Sequence, residues 1–266
     1  MNILVTLNSN YVYPLCVLFN SLRKNCTHEH IDIYVAYSSL TENDFLRMEE
    51  ALGTVDYTLH KVLVDNSIFS GAPVLDRLSK ETYYRLLIGD ILPAGVHKIL
   101  YLDPDIVINK DLSDFYNTDM TDYVVAGGTH TFGIVGKGNL LRLGMKKTSC
   151  YINAGVLLIN LDKWRETVTL NDILGFISSN IKKLFLADQD VINVLFEDYS
   201  LKIDERLYNL DEKTLKKYSS KLAGKKRISL DWVRKNTVVI HFNGKHKPWS
   251  EKNYGGKLGE FFEKYR

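Results

Sequence analysis

Two carboxylates follow an apolar run in the segment YLDPDI, where Asp103 and Asp105 flank Pro104. A carboxylate at the end of a buried strand is costly unless it is paired, hydrogen-bonded or bound to a metal ion. Hard cations such as Mg²⁺ and Mn²⁺ prefer oxygen ligands, and often combine one or two carboxylates with phosphate groups. Asp-Pro and Pro-Asp are also common in turns, and these three residues alone favour a turn. The segment therefore has two interpretations, a cation site or a plain turn.

A histidine near the other end of the chain could complete a cation site. His241 closes the apolar run NTVVIHF and is followed by the turn-like segment NGKHKPW. Adding an imidazole to two carboxylates shifts the preferred ion from Mg²⁺ towards Mn²⁺ or another transition metal. The glycine and two lysines that follow suit a pocket for phosphate groups. The alternative is a buried structural histidine, which the position of His241 alone favours.

The elements of the first half bring such residues to one edge of a sheet. Short apolar runs predict strands, and apolar residues at helical spacing predict the helices between them. Strands that alternate with helices indicate an α/β fold with a parallel sheet covered on both faces, and ligands bind beyond the carboxyl ends of its strands. Segments 8–11 and 103–105 lie at such ends. The predicted order is strand 2–8, helix 11–25, strand 31–38, helix 41–53, strand 59–65, helix 79–92 and strand 98–103.

The second half of the chain shows a more mixed pattern. Neither a linker nor an internal repeat interrupts it, which favours one domain over residues 1–266 with a short helical tail at 250–266. The predicted elements are a strand at 122–129, a glycine-rich loop with a helical piece at 133–144, a long strand and then a turn at 152–164, a helix at 188–196, strands at 201–209 and 236–242, and a helix at 257–266.

Composition excludes several classes of protein. The chain has 266 residues, a hydrophobic fraction of 45% and a net charge of +2, so its overall charge favours neither nucleic acid nor membrane as a partner. Cys16, Cys26 and Cys150 lack metal-type spacing, which favours free thiols in a reducing compartment. The N-terminus lacks a signal-peptide pattern, and no apolar run is long enough to span a bilayer. We therefore expect a cytoplasmic protein.

Four motifs occur in order along the chain: YLDPD, NAGVLLINLDKW, DQDVIN and HFNGKHKPW. Together they resemble glycosyltransferase family 8, and the chain is similar to bacterial lipopolysaccharide galactosyltransferases and, more distantly, to glycogenin. The resemblance runs from about residue 2 to Trp249. It implies a GT-A fold, which is a Rossmann-like α/β domain with a mixed, mostly parallel sheet and helices on both faces. It also implies metal-dependent, retaining transfer of glucose or galactose from a UDP-sugar to a hydroxyl group of a glycan, glycolipid or glycoprotein.

The resemblance implies roles for the residues that match the motifs of the family. The implied ligands of Mn²⁺ or Mg²⁺ are Asp103, Asp105 and His241. The implied catalytic residues are Arg85, which faces the donor sugar and phosphate, and the pair beside the anomeric carbon, Asp188 and Gln189. The implied donor-binding residues are Asn8, Asn10 and Tyr11 at the base, Asp103 and Pro104, the sugar-binding run Asn153, Ala154 and Gly155, and the diphosphate clamp of Gly244 and Lys247.

The residue types at positions 188 and 189 favour one mechanism for this reaction. The amide oxygen of Gln189 is a poor nucleophile, so front-face attack by the acceptor hydroxyl is favoured over a double displacement. Asp188 is the second candidate nucleophile, and its favoured role is to orient hydroxyl groups of the donor sugar. A catalytically silent nucleotide-sugar-binding protein is the alternative function, which the intact metal set and the Asp188–Gln189 pair disfavour.

Two positions depart from the family pattern. Asn8 stands where relatives often have aspartate, and its amide oxygen can still accept a hydrogen bond from a uracil N–H, without charge assistance. His130 stands roughly where galactosyltransferase relatives have an acidic residue, which counts against galactose and leaves glucose or another hexose open as the donor sugar.

A basic segment at 210–227 has two interpretations. It contains seven lysines and arginines. A solvated helix face is favoured. The alternative is the rim of an acceptor site, or a peripheral contact with anionic lipid headgroups at the inner face of the membrane.

Overall fold

The computed structural model describes residues 1–28, 30–54, 56–69, 80–251 and 254–266. Its strands are β1 (Asn2–Thr6), β2 (Ile31–Tyr37), β3 (Tyr57–Leu63), β4 (Lys98–Leu102), β5 (Ile106–Ile108), β6 (Val125–Gly127), β7 (Val156–Asn160), β8 (Ser200–Lys202) and β9 (Val239–His241).

The helices lie between these strands and after them. The α-helices are α1 (Val12–Asn25), α2 (Glu42–Leu52), α3 (Ile88–Ile91), α4 (Ser113–Tyr116), α5 (Gly133–Leu143), α6 (Leu161–Thr167), α7 (Leu170–Asn180), α8 (Ala187–Leu195), α9 (Glu205–Tyr208), α10 (Glu212–Ser219), α11 (Leu230–Asn236) and α12 (Gly259–Glu263). Segments of 3₁₀-helix span Ser9–Tyr11, Asn66–Phe69, Lys80–Leu87, Ile181–Lys183, Glu197–Tyr199 and Lys221–Lys226.

Seven strands form one sheet in the order β3-β2-β1-β4-β7-β6-β8. β7 runs antiparallel to both of its neighbours, and the other pairings are parallel. The prediction of a mixed, mostly parallel sheet is therefore confirmed. Because β4 and β7 are antiparallel, with Leu102 opposite Val156, the end of β4 meets the start of β7. The two segments Asp103–Asp105 and Asn153–Gly155 therefore lie side by side, and the Asp103 amide donates to the Gly155 carbonyl at 2.8 Å.

A second, two-stranded sheet joins two distant parts of the chain. β5 pairs antiparallel with β9, and its register places Ile106 opposite His241. This pairing places His241 beside Asp105, the residue that precedes Ile106. The sequence predicted β9 but not β5, a strand of three residues.

Helices cover both faces of the larger sheet. Alternate residues of β1 point to opposite faces, because side chains in a strand alternate. Leu4 packs in one buried cluster with Trp164 and Phe196, whereas Ile3 and Val5 pack in a second cluster with residues of α1 and α2. The chain thus forms the predicted three-layer arrangement of sheet and helices.

Local signals explain the elements that the sequence predicted correctly. The Thr41 hydroxyl accepts from the Asp44 amide and the Asp44 carboxylate accepts from the Thr41 amide, which confirms the predicted capping box of α2. Gly53 ends this helix at φ 60°, a conformation that favours glycine.

Other segments differ from their prediction because polar side chains cap helices there. Asn160 caps α6 where a turn was predicted, and Asp204 caps α9 inside the predicted strand 201–209, which leaves only β8 extended. Segment 133–144 is a continuous helix, α5, that ends at Gly144 with φ 74°. The predicted helix 79–92 is a 3₁₀-helix followed by α3, and its first residue, Ser79, lies outside the described residues.

The C-terminal segment packs onto the smaller sheet. Phe261 and Phe262 of α12 are buried in one cluster with Ile240 of β9 and with Phe242, which follows that strand. Across the described part of the chain, no helix is long and apolar enough to cross a membrane.

Candidate active site

Asp103, Asp105 and His241 converge at the carboxyl edge of the sheet. Their candidate ligand atoms all lie within 4.8 Å of one another. His241 Nε2 lies 3.5 Å from Asp103 Oδ2 and 3.2 Å from Asp105 Oδ1. Asp105 and His241 are buried. The residues predicted as metal ligands are thus brought together by the end of β4 and by the pairing of β5 with β9.

A buried asparagine orients the imidazole of His241. Asn209 Nδ2 donates to Asn153 Oδ1 at 3.0 Å, so Asn209 Oδ1 is turned to accept from His241 Nδ1 at 2.9 Å. The other ring nitrogen, Nε2, is buried and faces the two carboxylates, but its geometry gives it no hydrogen bond to any of the described residues. Fixing one nitrogen by a hydrogen bond and leaving the other free is the usual arrangement of a metal-binding histidine.

The donor set fits a divalent cation. Burial lowers the pKa of His241, but the carboxylates of Asp105 and Asp103 outweigh burial and raise it to about 9. Burial raises the pKa of Asp105, but the positive charges of His241 and Lys247 outweigh it and lower that pKa below its usual range. The two carboxylates therefore stabilise positive charge between them. This property suits a cation that is bound through two carboxylates and one imidazole nitrogen.

Gly155 forms one wall of the cluster. A Cβ atom at this position would overlap both His241 Cε1 and Asp103 Oδ2. The absence of a side chain therefore keeps open the space between the candidate ligands, which gives the glycine of the NAG motif a physical role.

We expect Gly155→Ala to weaken Mn²⁺ binding at least about tenfold, because overpacking a tight site costs about 1–3 kcal/mol. Calorimetric titration of the purified protein with Mn²⁺ measures this directly. Gly95→Ala is the matched control, since a Cβ there meets no atom within 4 Å. Equal Mn²⁺ affinity in both variants would contradict the assignment of the cluster.

Arg85 links the metal cluster to the predicted catalytic pair. Its guanidinium group lies 3.0 Å from Asp103 Oδ1 and 3.0 Å from Asp188 Oδ2, and donates to the Ala154 carbonyl at 2.6 Å. It also stacks over the Tyr101 ring at 4.4 Å. Burial lowers the pKa of Arg85, but the two carboxylates outweigh it and raise the pKa. Arg85 is therefore a permanent positive charge at the centre of the site.

The predicted sugar-binding residues contact Gln189, the glutamine of the predicted catalytic pair. Gln189 Oε1 accepts from Asn153 Nδ2 at 2.9 Å and from the Ala154 amide at 3.2 Å. α8 begins at Ala187, which adopts φ 43°, and a positive φ in a residue other than glycine is strained. The helix that begins here places Gln189 against Asn153 and Ala154, and Asp188 beside Arg85.

An open cleft of about 140 Å³ lies beside the cluster. It is lined by Asn8, Tyr11, Arg85 and the segment Asp103–Asp105, and also by Glu81, which sequence reasoning missed. Asn8 Oδ1 accepts from the Asn10 amide at 3.1 Å, and Asn8 Nδ2 donates to Glu81 Oε2 at 3.4 Å. The Asn10 side chain is exposed and does not line this cleft.

The segment after β9 contributes one residue to the cluster. Lys247 Nζ lies 2.6 Å from Asp105 Oδ2 and 2.6 Å from the Phe242 carbonyl oxygen. Gly244 is partly exposed, and a Cβ there would meet only the His246 carbonyl oxygen at 3.8 Å. The structure thus brings Lys247, but not Gly244, into contact with the predicted metal ligands.

The sequence model of glycosyl transferase family 8 matches residues 2–253. The chain belongs to this family. The family 8 resemblance predicted from the four motifs is therefore confirmed.

Family 8 relatives cover the chain almost completely. General stress protein A of Bacillus subtilis is 26% identical over 98% of this chain and 92% of its own length. Lipopolysaccharide 1,2-glucosyltransferase of Escherichia coli is 26% identical over 92% of this chain and 72% of its own length. The galactosyltransferase LgtC, solved with donor and acceptor sugar analogues, is 25% identical with a TM-score of 0.81, over 100% of this chain and 95% of LgtC. The predicted GT-A fold is confirmed by this match.

Three residues that support the family 8 site were missed from the sequence. Tyr101 donates to Asp103 Oδ1 at 2.7 Å and contacts the Thr6 hydroxyl at 3.0 Å. Its position two residues before Asp103 is a signal that could have found it, because alternate strand residues share a face. Asn209 and Glu81 are distant in sequence from the predicted site residues that they contact or accompany, so only the tertiary structure reveals them.

Asp188→Asn is expected to stabilise the folded protein by about 1–3 kcal/mol at pH 7. Burial and the nearby Asp103 charge raise the pKa of Asp188 to about 6 despite the opposing effect of Arg85. Because the folded pKa exceeds the unfolded pKa of 3.8, stability falls as pH rises from about 4 to about 6 and stays reduced above that. Urea unfolding at pH 7 and at pH 4 measures the difference, which should shrink at pH 4.

Asp190→Asn is the matched control for this experiment. Asp190 is buried two residues further along the same helix, but it is paired bidentately with Arg142 and accepts from the Tyr151 hydroxyl. Its substitution should destabilise the protein, because it removes strong charge-assisted hydrogen bonds. A loss of stability at pH 7 in Asp188→Asn as well would show that the Arg85–Asp188 pair is net stabilising.

Proposed function

We propose that this protein is a metal-dependent, retaining hexosyltransferase. It moves glucose or galactose from a UDP-sugar to a hydroxyl group of a glycan, glycolipid or glycoprotein acceptor. The observation that carries the proposal is the convergence of Asp103, Asp105 and His241 beside an open cleft. The similarity to LgtC, solved with donor and acceptor sugar analogues, and to the lipopolysaccharide 1,2-glucosyltransferases supports it.

Asp103, Asp105 and His241 would hold Mn²⁺ or Mg²⁺ against the donor diphosphate. A bound divalent cation supplies Lewis-acid stabilisation of the charge that grows on the leaving diphosphate. Lys247 and Arg85 add fixed positive charge to the same region, since both already pair with carboxylates of the cluster. Positive groups fixed in advance stabilise the leaving diphosphate without reorganising during the reaction.

Residues in and around the cleft would bind the rest of the donor. Asn8, Asn10 and Tyr11 bind the uracil base, and Asn153, Ala154 and Gly155 bind the sugar. Asp103 contacts the ribose or the sugar, and Pro104 binds the donor beside it. Gly244 and Lys247 close over the diphosphate.

Gln189 and Asp188 would act at the anomeric carbon. The acceptor hydroxyl attacks from the face that the diphosphate leaves, and a phosphate oxygen of the leaving group takes its proton. The Gln189 amide stabilises positive charge on the sugar. Asp188 orients the sugar hydroxyls, and its ion pair with Arg85 supports this role over that of a nucleophile.

We also propose that residues 1–266 form a single glycosyltransferase domain with a helical tail at 250–266, and that the protein works in the cytoplasm. The basic segment 210–227 contributes a peripheral contact with the inner face of the membrane. α10 supports this arrangement, because it buries Thr214, Leu215 and Tyr218 and leaves Lys213 and Lys216 exposed.

Release of nucleoside diphosphate from a panel of UDP- and GDP-sugars tests the proposal. We expect release from UDP-glucose or UDP-galactose with Mn²⁺ present and its loss with EDTA, and the sugar that reacts identifies the donor. Metal-dependent binding of UDP without release, in the presence of candidate acceptors, would instead indicate a nucleotide-sugar-binding protein. Release that is unaffected by EDTA would overturn the metal dependence.

A further inference from the structure

Five large apolar side chains are exposed on one side of the molecule. They are Ile134, Val135 and Leu141 of α5 and Phe185 and Leu186, which precede α8, with exposed fractions of 89%, 65%, 82%, 69% and 44%. A cluster of exposed apolar residues on a water-soluble surface usually marks an interaction site. We call these five residues the apolar patch.

Contacts between α5 and the segment before α8 make the patch a continuous surface. Arg142 of α5 donates to the Lys183 carbonyl oxygen, and its guanidinium lies over the Phe185 ring at 4.7 Å. Ile134 and Leu141 are seven residues apart, which is about two helical turns, so they lie on the same outward face of α5. The helix thus presents apolar residues to the outside, the reverse of an ordinary surface helix.

Positive charge surrounds the apolar patch. Lys137, Lys182 and Lys183 are exposed on the two segments that carry it, and neither segment 133–147 nor 181–186 contains an acidic residue. Lys217 of α10 lies over the ring of Phe132, the residue before α5, at 3.1 Å. The patch therefore combines apolar side chains with lysines, as surfaces that bind anionic membranes do.

The apolar patch borders the candidate active site. Leu186 is followed directly by Ala187, Asp188 and Gln189 at the start of α8. On the other side, α5 begins three residues after His130, which contacts the Asn209 carbonyl oxygen at 2.6 Å and the Asn243 amide at 2.7 Å. A membrane bound to the patch would therefore lie next to the mouth of the site.

We propose that the apolar patch docks the protein onto an anionic lipid bilayer and that its acceptor is a glycan linked to a lipid of that bilayer. The choice of acceptor rests on the proposed glycosyl transfer, whereas the docking surface does not. A second copy of the chain fits the patch less well, because a symmetric pairing would bring the lysines of both copies together. Anionic headgroups neutralise these lysines while the acyl region takes up the apolar side chains.

Flotation with lipid vesicles tests the docking surface. We expect the wild-type protein to bind vesicles of phosphatidylcholine mixed equally with phosphatidylglycerol, and to bind vesicles of phosphatidylcholine alone much more weakly. The variant Ile134→Ser/Leu141→Ser/Phe185→Ser should lower the partition coefficient at least about tenfold, since it removes three exposed apolar side chains. The variant Lys137→Glu/Lys183→Glu should lose the preference for the anionic vesicles.

Leu46→Ser/Leu63→Ser is the matched control, because both leucines are as exposed as the patch, at 62% and 69%, but belong to α2 and to β3 at the opposite end of the sheet. It should bind vesicles like the wild type.

Failure of the wild type to bind anionic vesicles, or wild-type binding by the triple serine variant, would overturn the proposal. So would light scattering that shows a wild-type dimer and a monomeric triple variant, which would make the patch a self-association surface. Release of UDP from the donor sugar in solution is measured on the same variants; its absence would count against the proposed function and leave the vesicle result standing.

Discussion

Replacing Asp105 by asparagine is expected to lower Mn²⁺-dependent turnover of the UDP-sugar at least about a hundredfold while the fold is retained. The Asp105 carboxylate is buried between His241 Nε2 at 3.2 Å and Lys247 Nζ at 2.6 Å. Asparagine keeps the shape of the side chain but removes the negative charge that a divalent cation requires. Asp103→Asn should have a similar effect, because Asp103 is the second carboxylate of the cluster.

The measurement is the initial rate of UDP release at saturating Mn²⁺, with circular dichroism to verify folding. Asp111→Asn is the matched control: that carboxylate accepts hydrogen bonds from Thr27 and Ser113 and does not line the cleft, so its loss should affect stability and leave turnover per folded molecule unchanged. Retention of more than about a tenth of the activity in both cluster variants would show that YLDPD is a turn and not a cation site.

Gln189→Ala is expected to lower turnover about a hundredfold and to change the dissociation constant of UDP by less than about threefold. The amide lies at the start of α8, in contact with the Asn153–Ala154 segment that we propose binds the donor sugar. An amide that stabilises charge only in the transition state affects the chemical step and contributes little to ground-state binding. Single-turnover kinetics and calorimetry of UDP binding separate the two quantities.

Gln189→Glu distinguishes the amide oxygen of Gln189 from its amide nitrogen. It keeps an oxygen that can accept from Asn153 Nδ2 and the Ala154 amide, but it lacks the amide nitrogen of glutamine. Wild-type turnover in Gln189→Glu together with a loss in Gln189→Ala would show that the oxygen, and not the amide nitrogen, carries the role of Gln189. Asn236→Ala, at the exposed end of α11, is the control for loss of an amide elsewhere. Weaker UDP binding with unchanged turnover in Gln189→Ala would contradict the catalytic role.

Local sequence determined most of the α/β framework. The apolar runs of β1, β2 and β4 and the capping box of α2 encode their elements through interactions between near neighbours, which is why these predictions agree with the structure. Segment 133–144 was harder to predict because its glycines weaken the helical signal, and α5 is completed only by its C-terminal glycine.

The sequence by itself also determined where the carboxylates of the candidate site lie, because a buried strand that ends in Asp-Pro-Asp must place charge at the edge of a sheet. The tertiary structure alone decided which groups meet them. Lys247 and Asp105 are 142 residues apart in the chain, and His241 reaches Asp105 through the pairing of β9 with the three-residue strand β5. Strand register and long-range pairing depend on packing over the whole core and leave no periodic signal in the local sequence. For the same reason Asn209, which orients His241, could be recognised only after the chain was folded.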